Sequence, residues 1–371
     1  MKLLHTADTH LGYTAYNRLD ENGMNQRETD VYNAFQRVID LAISEKVYAV
    51  LHSGDLFDSV RPSNRAISFA LEQIRRLEDA GIPFAAISGN HSTPRLRETG
   101  SVFSILSVLS NVKAAYRGRY ERLDIDDLRI HALPHCPTNE AFRDELKSLS
   151  PCGSGYEVAM LHAGVIGVDV FRMGEVNENT CPVGPLVQEG FGYVALGHYH
   201  RHTEVARNVV YAGSLERLSF AEAGDRKGCV IVDISQGDWR FVDMPTRKMV
   251  DIHLQWDGGT PGELEKMVCS AVEERDIVGA AVRLTVDSLP RSVQRGADMK
   301  KLAALGHDAL VFQQRFISRE EEQSMSGGDA KIRSLGLEFQ EFISDYRLED
   351  MDRERMTSLG KEYIDKAGGS G

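Results

Sequence analysis

Seven residues with oxygen or nitrogen donors stand in short motifs, each just after a β-rich run. Asp8 and His10 belong to Asp8-Thr9-His10, Asp55 follows Gly54, and Asn90 lies within Gly89-Asn90-His91. His162 ends a later run, and His198 and His200 belong to Gly197-His198-Tyr199-His200. Carboxylate, amide and imidazole without thiolate make a hard-to-borderline donor set, which suits manganese, magnesium or iron better than a structural zinc site. One ion does not need so many ligands; two ions about 3.5–4 Å apart, sharing a carboxylate, do. If extended, His198 and His200 project their side chains about 7 Å apart at roughly 3.3 Å per residue, one imidazole for each ion. Two divalent cations against Asp8 and Asp55 leave the pocket locally positive, which fits a phosphate ester. Taken singly, each of these residues reads as a capped turn or a core histidine. Only together do they make a metal centre.

Such a centre needs strand ends to carry it. In open α/β folds the carboxyl ends of strands line the ligand crevice. Strand patterns occur at residues 2–6, 47–53, 83–88, 128–133, 157–162 and 193–197, with helical patterns at 26–45 and 64–80 between the first three. In the second helix Ile67, Ala70, Leu71, Ile74 and Leu77 recur at helical spacing; Pro62 and Ser63 start it and Gly81 stops it. Strands spaced by helices imply an α/β layer fold. Residues 205–211 read as a hairpin turning at Arg207-Asn208, followed by strands at 228–233 and 239–242. Near Pro245 the pattern changes to strands at 249–254, 281–286 and 310–317 with helices at 262–275 and 298–305, an α+β unit. Residues 324–329 (SMSGGD) have the composition of a linker. Beyond them Phe339, Phe342, Ile343 and Tyr346 share one helix face, and Met356, Leu359 and Tyr363 repeat the spacing. Helices this short are marginal alone. Burying four such side chains stabilises by roughly 6–12 kcal/mol, so this surface wants a partner.

At 371 residues the chain has room for about two domains. Its net charge of −12 excludes a generally basic nucleic-acid coat, leaving a local patch or bound metal to hold any polyanion. No run of about 18 apolar residues argues for a membrane span. Asp8 and His10 interrupt the start where a signal peptide is apolar. Five scattered cysteines without a CxxC pair fit a reducing cytoplasm, as small hydrophobes.

In order, the motifs DxH, GD, GNH, H and GHxH resemble the signature of the calcineurin-like metallophosphoesterases. Residues 8–12 (DTHLG), 54–57 (GDLF), 61–63 (RPS) and Gly213-Ser214 resemble one branch, the Mre/SbcD family, the nuclease subunit of a DNA double-strand-break repair complex. The resemblance implies a two-sheet β-sandwich flanked by helices over residues 1–244 and a small α+β cap positioning DNA over 245–323. It also implies a linker at 324–330 and a helix-loop-helix at 331–367. On two manganese ions, with magnesium or iron as alternatives, it places Asp8, His10 and His200 on one, Asn90, His162 and His198 on the other, and Asp55 between them. His91 then orients the scissile phosphate and protonates the leaving oxygen, while an activated water attacks in line. The family usually follows GNH with an acidic residue, and Ser92 stands there instead. A carboxylate at that place would anchor His91, which leaves Glu98 as a substitute. The implied partners are DNA ends, a second copy of the chain, and a Rad/SbcC-type SMC-like ATPase gripped through Phe339, Phe342, Ile343 and Tyr346. The implied location is the cytoplasm, on the nucleoid of a prokaryote.

Tyr13 is placed to stack on a base or to pack. Arg61, Arg65, Arg95 and Arg97 flank the metal-bearing loops as phosphate contacts or solvated charge. His5 and His52 read as core histidines, and His131, His135 and His202 as surface or loop residues. Residues 101–109 (SVFSILSVL) are apolar around most of a short helix and, with the helix at 64–80, suit a dimer contact. Three functions compete: a manganese-dependent DNA exonuclease/endonuclease at double-strand breaks, a phosphoesterase of small molecules or phosphoproteins, and a DNA-end tether with a weak site. The cap and the apolar tail favour the first.

Overall fold

The first strand, β1 (Lys2–Thr6), buries Leu3 on one face and Leu4 on the other, as a strand covered from both sides must. A computed structural model describes residues 1–93, 100–153, 155–168, 178–188, 190–318 and 355–360. The chain continues through α1 (Gln26–Ser44), β2 (Ala49–His52), α2 (Asn64–Asp79), β3 (Phe84–Ile87), α3 (Phe103–Leu106) and β4 (Val112–Ala115). Next come β5 (Glu121–Ile125), β6 (Leu128–Leu133), α4 (Asn139–Leu146) and β7 (Tyr156–His162). After the short pair β8 (Gly164–Val165) and β9 (Thr180–Cys181) follow β10 (Tyr193–Gly197), β11 (Thr203–Ala206), β12 (Val209–Tyr211), β13 (Gly228–Asp233) and β14 (Asp238–Asp243).

Two six-stranded sheets result, in the orders β14-β13-β1-β2-β3-β4 and β11-β12-β10-β7-β6-β5. Strands β1 to β4 run parallel, as do β6, β7, β10 and β12, so their carboxyl ends collect at one edge of each sheet. Between the sheets lie Leu3, Leu51, Ile87, Ile130, Met160 and Tyr193. The outer face of the first sheet packs on α1 and α2 through Leu4, Val50, Phe84, Phe35, Ile39 and Ile74. Phe142 and Leu146 of α4 cover Leu133, Leu161 and Leu196 on the outer face of the second. The expected two-sheet sandwich flanked by helices is the fold observed. Both long helices start on local chemistry: the Asn25 side chain accepts from the Arg27 amide, and that of Ser63 from the Ala66 amide. Each large apolar side chain buried by these helices stabilises by about 1.5–3 kcal/mol.

Two expectations need correction. His131 is fully buried rather than at the surface: its Nε2 lies 2.9 Å from Glu157 Oε2, and the Tyr120 hydroxyl lies 2.8 Å from its Nδ1. The imidazole lies on the outer face of β6, the face of Leu133, and its burial is tolerated because both nitrogens have partners. The apolar segment at 101–109 is helical only over α3. It is two-faced, with Phe103 and Leu106 fully buried and Ile105 and Val108 at 43% and 81% exposure. Cys136, Cys181 and Cys229 are buried, and burial pushes each thiol up to about 12, whereas Cys152 is exposed.

The later elements are β15 (Met249–Gln255), α5 (Pro261–Glu273), β16 (Ala281–Asp287), α6 (Arg291–Gly296), α7 (Met299–Ala304) and β17 (Val311–Phe316), with sheet order β15-β16-β17. The chain divides into two compact units. The first holds Met1–Asp251, Val272–Arg283 and Ala304–Gln313; the second holds Ile252–Ala271, Leu284–Ala303 and the chain from Gln314. Leu264 and Val268 of α5 and Leu302 of α7 are fully buried. Residues 355–360 are helical; Phe339, Phe342, Ile343, Tyr346 and the linker lie outside the described residues. Among the described residues no helix is long and apolar enough to cross a membrane.

Candidate metal centre

The loops after β1 and β2 lie side by side. The Asp8 amide donates to the Gly54 carbonyl at 3.0 Å, that of His10 to Asp55 at 3.0 Å, and that of Leu11 to Leu56 at 2.8 Å. This zipper holds Asp8, His10 and Asp55 at φ of 49°, 54° and 51°, left-handed conformations that cost of order 1–3 kcal/mol each and turn the side chains inward. His198, just after β10, has a φ of 99°, so the segment through His200 is not the extended stretch expected. Its turn is closed by the His198 amide, which donates to both Asp8 carboxylate oxygens at 3.0 and 3.1 Å. Two glycines of the motifs are required by crowding. A Cβ on Gly54 would stand 2.0 Å from His162 Nδ1, and one on Gly89 would stand 2.2 Å from Asp55 Oδ1.

All seven expected donors converge. Asp8, His10 and His200 each bring a donor atom within 4.8 Å of the others, and so do Asp8, Asp55 and His162. The Nε2 atoms of His10 and His200 lie 3.2 Å apart. His162 Nε2 is 2.8 Å from Asn90 Oδ1 and 3.2 Å from Asp55 Oδ2, and the His198 ring sits 5.3 Å from that of His162. Despite the turn at His198, His200 stands with His10 and His198 with His162. The amide of His91 donates to Asp55 Oδ1 at 3.0 Å, and its ring meets His10 edge-on at 4.8 Å.

The outer nitrogen of every imidazole in the group faces an acceptor. His10 Nδ1 faces Asp58 Oδ1 at 3.1 Å, His162 Nδ1 the Ser53 carbonyl at 2.9 Å, His198 Nε2 Glu178 Oε1 at 3.1 Å, and His200 Nδ1 Glu222 Oε1 at 3.3 Å. A carboxylate or carbonyl only accepts, so these nitrogens carry protons and the opposite nitrogens turn inward, where a neutral ring offers a lone pair. Such outer partners are how proteins orient metal-binding histidines. The electrostatics agree. Burial opposes ionisation of Asp55, but His162, His10 and His91 outweigh it and hold the carboxyl well below the usual carboxylate range. Burial likewise opposes a charged His162, yet Asp55 and Asp8 raise it to about 9. A carboxylate field that draws a proton onto a buried imidazole is one that a cation satisfies. The residues present therefore fit two divalent ions of the oxygen- and nitrogen-loving kind.

The description "Calcineurin-like phosphoesterase" matches residues 1–202. The chain belongs to that family. Among relatives, the chain is 32% identical over 266 residues to the DNA double-strand break repair protein Mre11 of Saccharolobus solfataricus, covering 69% of this chain and 64% of that one. It is 29% identical to the Mre11 of Sulfolobus acidocaldarius, again covering 69% and 64%, and 31% identical to that of Thermoplasma acidophilum, covering 68% and 66%. The chain thus spans a little under two thirds of the length of these curated relatives. The superfamily and branch expected from the motifs are those the relatives belong to.

Other expected contacts fare differently. Tyr13 is half-buried against the helical core, and its hydroxyl donates to the Leu218 carbonyl at 2.5 Å; burial pushes it up to about 12. Arg61 is exposed, Arg65 pairs with Glu28 at 3.2 Å, and Arg95, Arg97 and Glu98 fall outside the described residues. Ser92 is buried with its hydroxyl 3.5 Å from the Phe57 carbonyl. Sequence reasoning missed Asp58, Glu178, Glu222 and Lys227. Lys227 is buried and donates to Glu222 Oε2 at 2.5 Å, to Ser214 Oγ at 2.9 Å and to the His200 carbonyl at 2.8 Å. His200, with Lys227, holds Glu222 ionised against the cost of its burial. No local motif marks these four; only Asp58, close after the GD pair, lies near a recognised signal.

Proposed function

We propose that this chain is a manganese-dependent DNA nuclease that processes double-strand-break ends, with magnesium or iron as alternative ions. The observation that carries the reading is the set of four imidazoles whose outer nitrogens are tied to acceptors and which gather around two buried carboxylates, Asp8 and Asp55. Asp8, His10 and His200 would hold one ion, Asn90, His162 and His198 the other, and Asp55 both. When bound, such ions supply Lewis-acid stabilisation of phosphoryl charge and activation of water. His91 and Asn90 are half-buried, at the open side of the group. His91 is placed to touch the scissile phosphate and give a proton to the leaving oxygen. DNA as substrate is supported by relatives whose names place them in double-strand-break repair. The division of labour proposed alongside gives residues 1–244 the chemistry, 245–323 the positioning of DNA, and 331–367 the grip on an SMC-like ATPase, across a homodimer.

The test is degradation of end-labelled duplex DNA with manganese, with magnesium and with chelator. Wild type cuts with manganese and stops with chelator. Asp55→Ala and His198→Ala each fall by about 10²-fold or more, since a lost ligand removes several kcal/mol of charge stabilisation. Circular dichroism and urea midpoints check that these variants keep the fold. Normal rates in folded variants at matched metal, or no cleavage of DNA by wild type, overturn the assignment.

A further inference from the structure

Residue 92 is where the motif comparison expects an acid to hold His91, and the structure puts a buried serine there. The holding is done from elsewhere. His91 Nδ1 lies 3.0 Å from the main-chain carbonyl of Asp58, and the side chain of the same residue stands 3.1 Å from His10 Nδ1. We infer that Asp58 is the positioning residue for both rings, its carboxylate fixing His10 and its backbone carbonyl fixing His91. The inference deepens the proposed nuclease reading and rests on its assignment of His10 and His91.

The placement of Asp58 follows from the fold. Its amide donates to the Leu11 carbonyl at 3.1 Å, one step beyond the parallel bridge between Leu11 and Phe57 that ends the zipper of the first two loops. Main chain on both sides is thereby fixed, so the carbonyl and the carboxylate of one residue reach two imidazoles packed edge-on. The three side chains gather donor atoms within 4.8 Å. The His10 side chain is 2% exposed, whereas that of Asp58 is 33% exposed. Asp58 thus stands on the solvent side of His10, leaving the inner nitrogen free to turn toward Asp8 and His200. A carboxylate accepts the Nδ1 proton and so selects the tautomer whose Nε2 lone pair faces the metal position. Without it the neutral ring would distribute between tautomers, and the form with Nε2 protonated cannot ligate through that atom.

Separating side chain from main chain makes the idea testable. Asp58→Ala removes the acceptor of His10 and keeps the carbonyl that holds His91; Asp58→Asn keeps an oxygen acceptor for His10 without the charge. Long-range ¹H–¹⁵N correlation spectra of the full-length, metal-free protein, recorded where the rings are neutral, report each tautomer. We expect His10 and His91 both as Nδ1–H in wild type. In Asp58→Ala only His10 should lose that form, and Asp58→Asn should restore it. Manganese titration followed by electron paramagnetic resonance should show one of two sites weakened about 10–100-fold in Asp58→Ala, with the other site and the urea midpoint little changed. A wild-type His10 protonated on Nε2, or a tautomer and manganese affinity unmoved in Asp58→Ala, overturns the inference. The tautomer measurement needs no turnover, so a protein that shows the Nδ1–H signature yet leaves DNA uncut refutes the function while the positioning stands.

Discussion

At the scale of single residues, the centre is built from groups whose protonation is decided by neighbours far along the chain. His5 and His52 lie beside it, fully buried. Burial, helped by nearby imidazoles, holds His5 down at about 3; burial also dominates at His52, outweighing Asp55, and leaves it at about 3. A histidine with a folded-state pKa below its unfolded value contributes fully above about 6.5, and its contribution fades as pH falls from there toward the folded value. At pH 5 the loss from each is about 2 kcal/mol. His162, raised to about 9, has the opposite sense, with stability lost as pH rises through that value, so a single variant separates the effects. The urea-derived stability gap between wild type and His5→Gln should shrink by about 2 kcal/mol from pH 7.5 to pH 5; an unchanged gap contradicts a buried neutral His5. Ser92 gives a second residue-scale prediction. Ser92→Asp buries a carboxylate against the Phe57 carbonyl, so stability should fall by about 2–4 kcal/mol without faster turnover. A stable Ser92→Asp variant with a higher rate would show that the acid at this place was limiting after all.

Elements decide which apolar residues are core and which are free to meet a partner. Sequence pattern marked residues 101–109 as apolar around most of a short helix, but α3 is a single turn that sinks Phe103 and Leu106 into the cluster under α1 and α2. Leu106→Asp therefore probes folding, and we expect it to unfold the domain or lower its stability by several kcal/mol. The proposed homodimer contact is tested on the opposite face. Val108→Asp should leave the urea midpoint within about 0.5 kcal/mol. At micromolar concentration light scattering should show it as a monomer where wild type is a dimer. A wild-type monomer, or a Val108→Asp dimer as tight as wild type, removes this contact. Strand β6 shows the same principle within the core. His131 sits on the outer face of the strand beside Leu133, buried there, and Tyr120 and Glu157 supply the partners that make it tolerable.

For the whole molecule, the apolar face of Phe339, Phe342, Ile343 and Tyr346 is a statement of sequence pattern about a segment too short to fold alone. Phe342→Glu should abolish co-purification with a Rad/SbcC-type ATPase while leaving manganese-dependent cleavage of simple ends unchanged, and a tight complex after deletion of everything past Asp329 would place the grip elsewhere. The seven donors and the strand-and-helix order were legible in the sequence because each is written locally. Donor type is a property of one residue, glycine beside it marks crowding, and apolar periodicity over a few residues distinguishes strand from helix. What holds the donors was not legible. Asp58, Glu178, Glu222 and Lys227 carry no local mark, and the His198 amide finds the Asp8 carboxylate only because β1 and β10 end side by side across two sheets. Burial of His131, the two faces of α3 and the turned backbone at His198 were likewise settled only when distant segments packed. Short-range pattern determines which groups are present and which elements carry them; the direction each group faces depends on contacts between segments nearly two hundred residues apart, which no local reading contains.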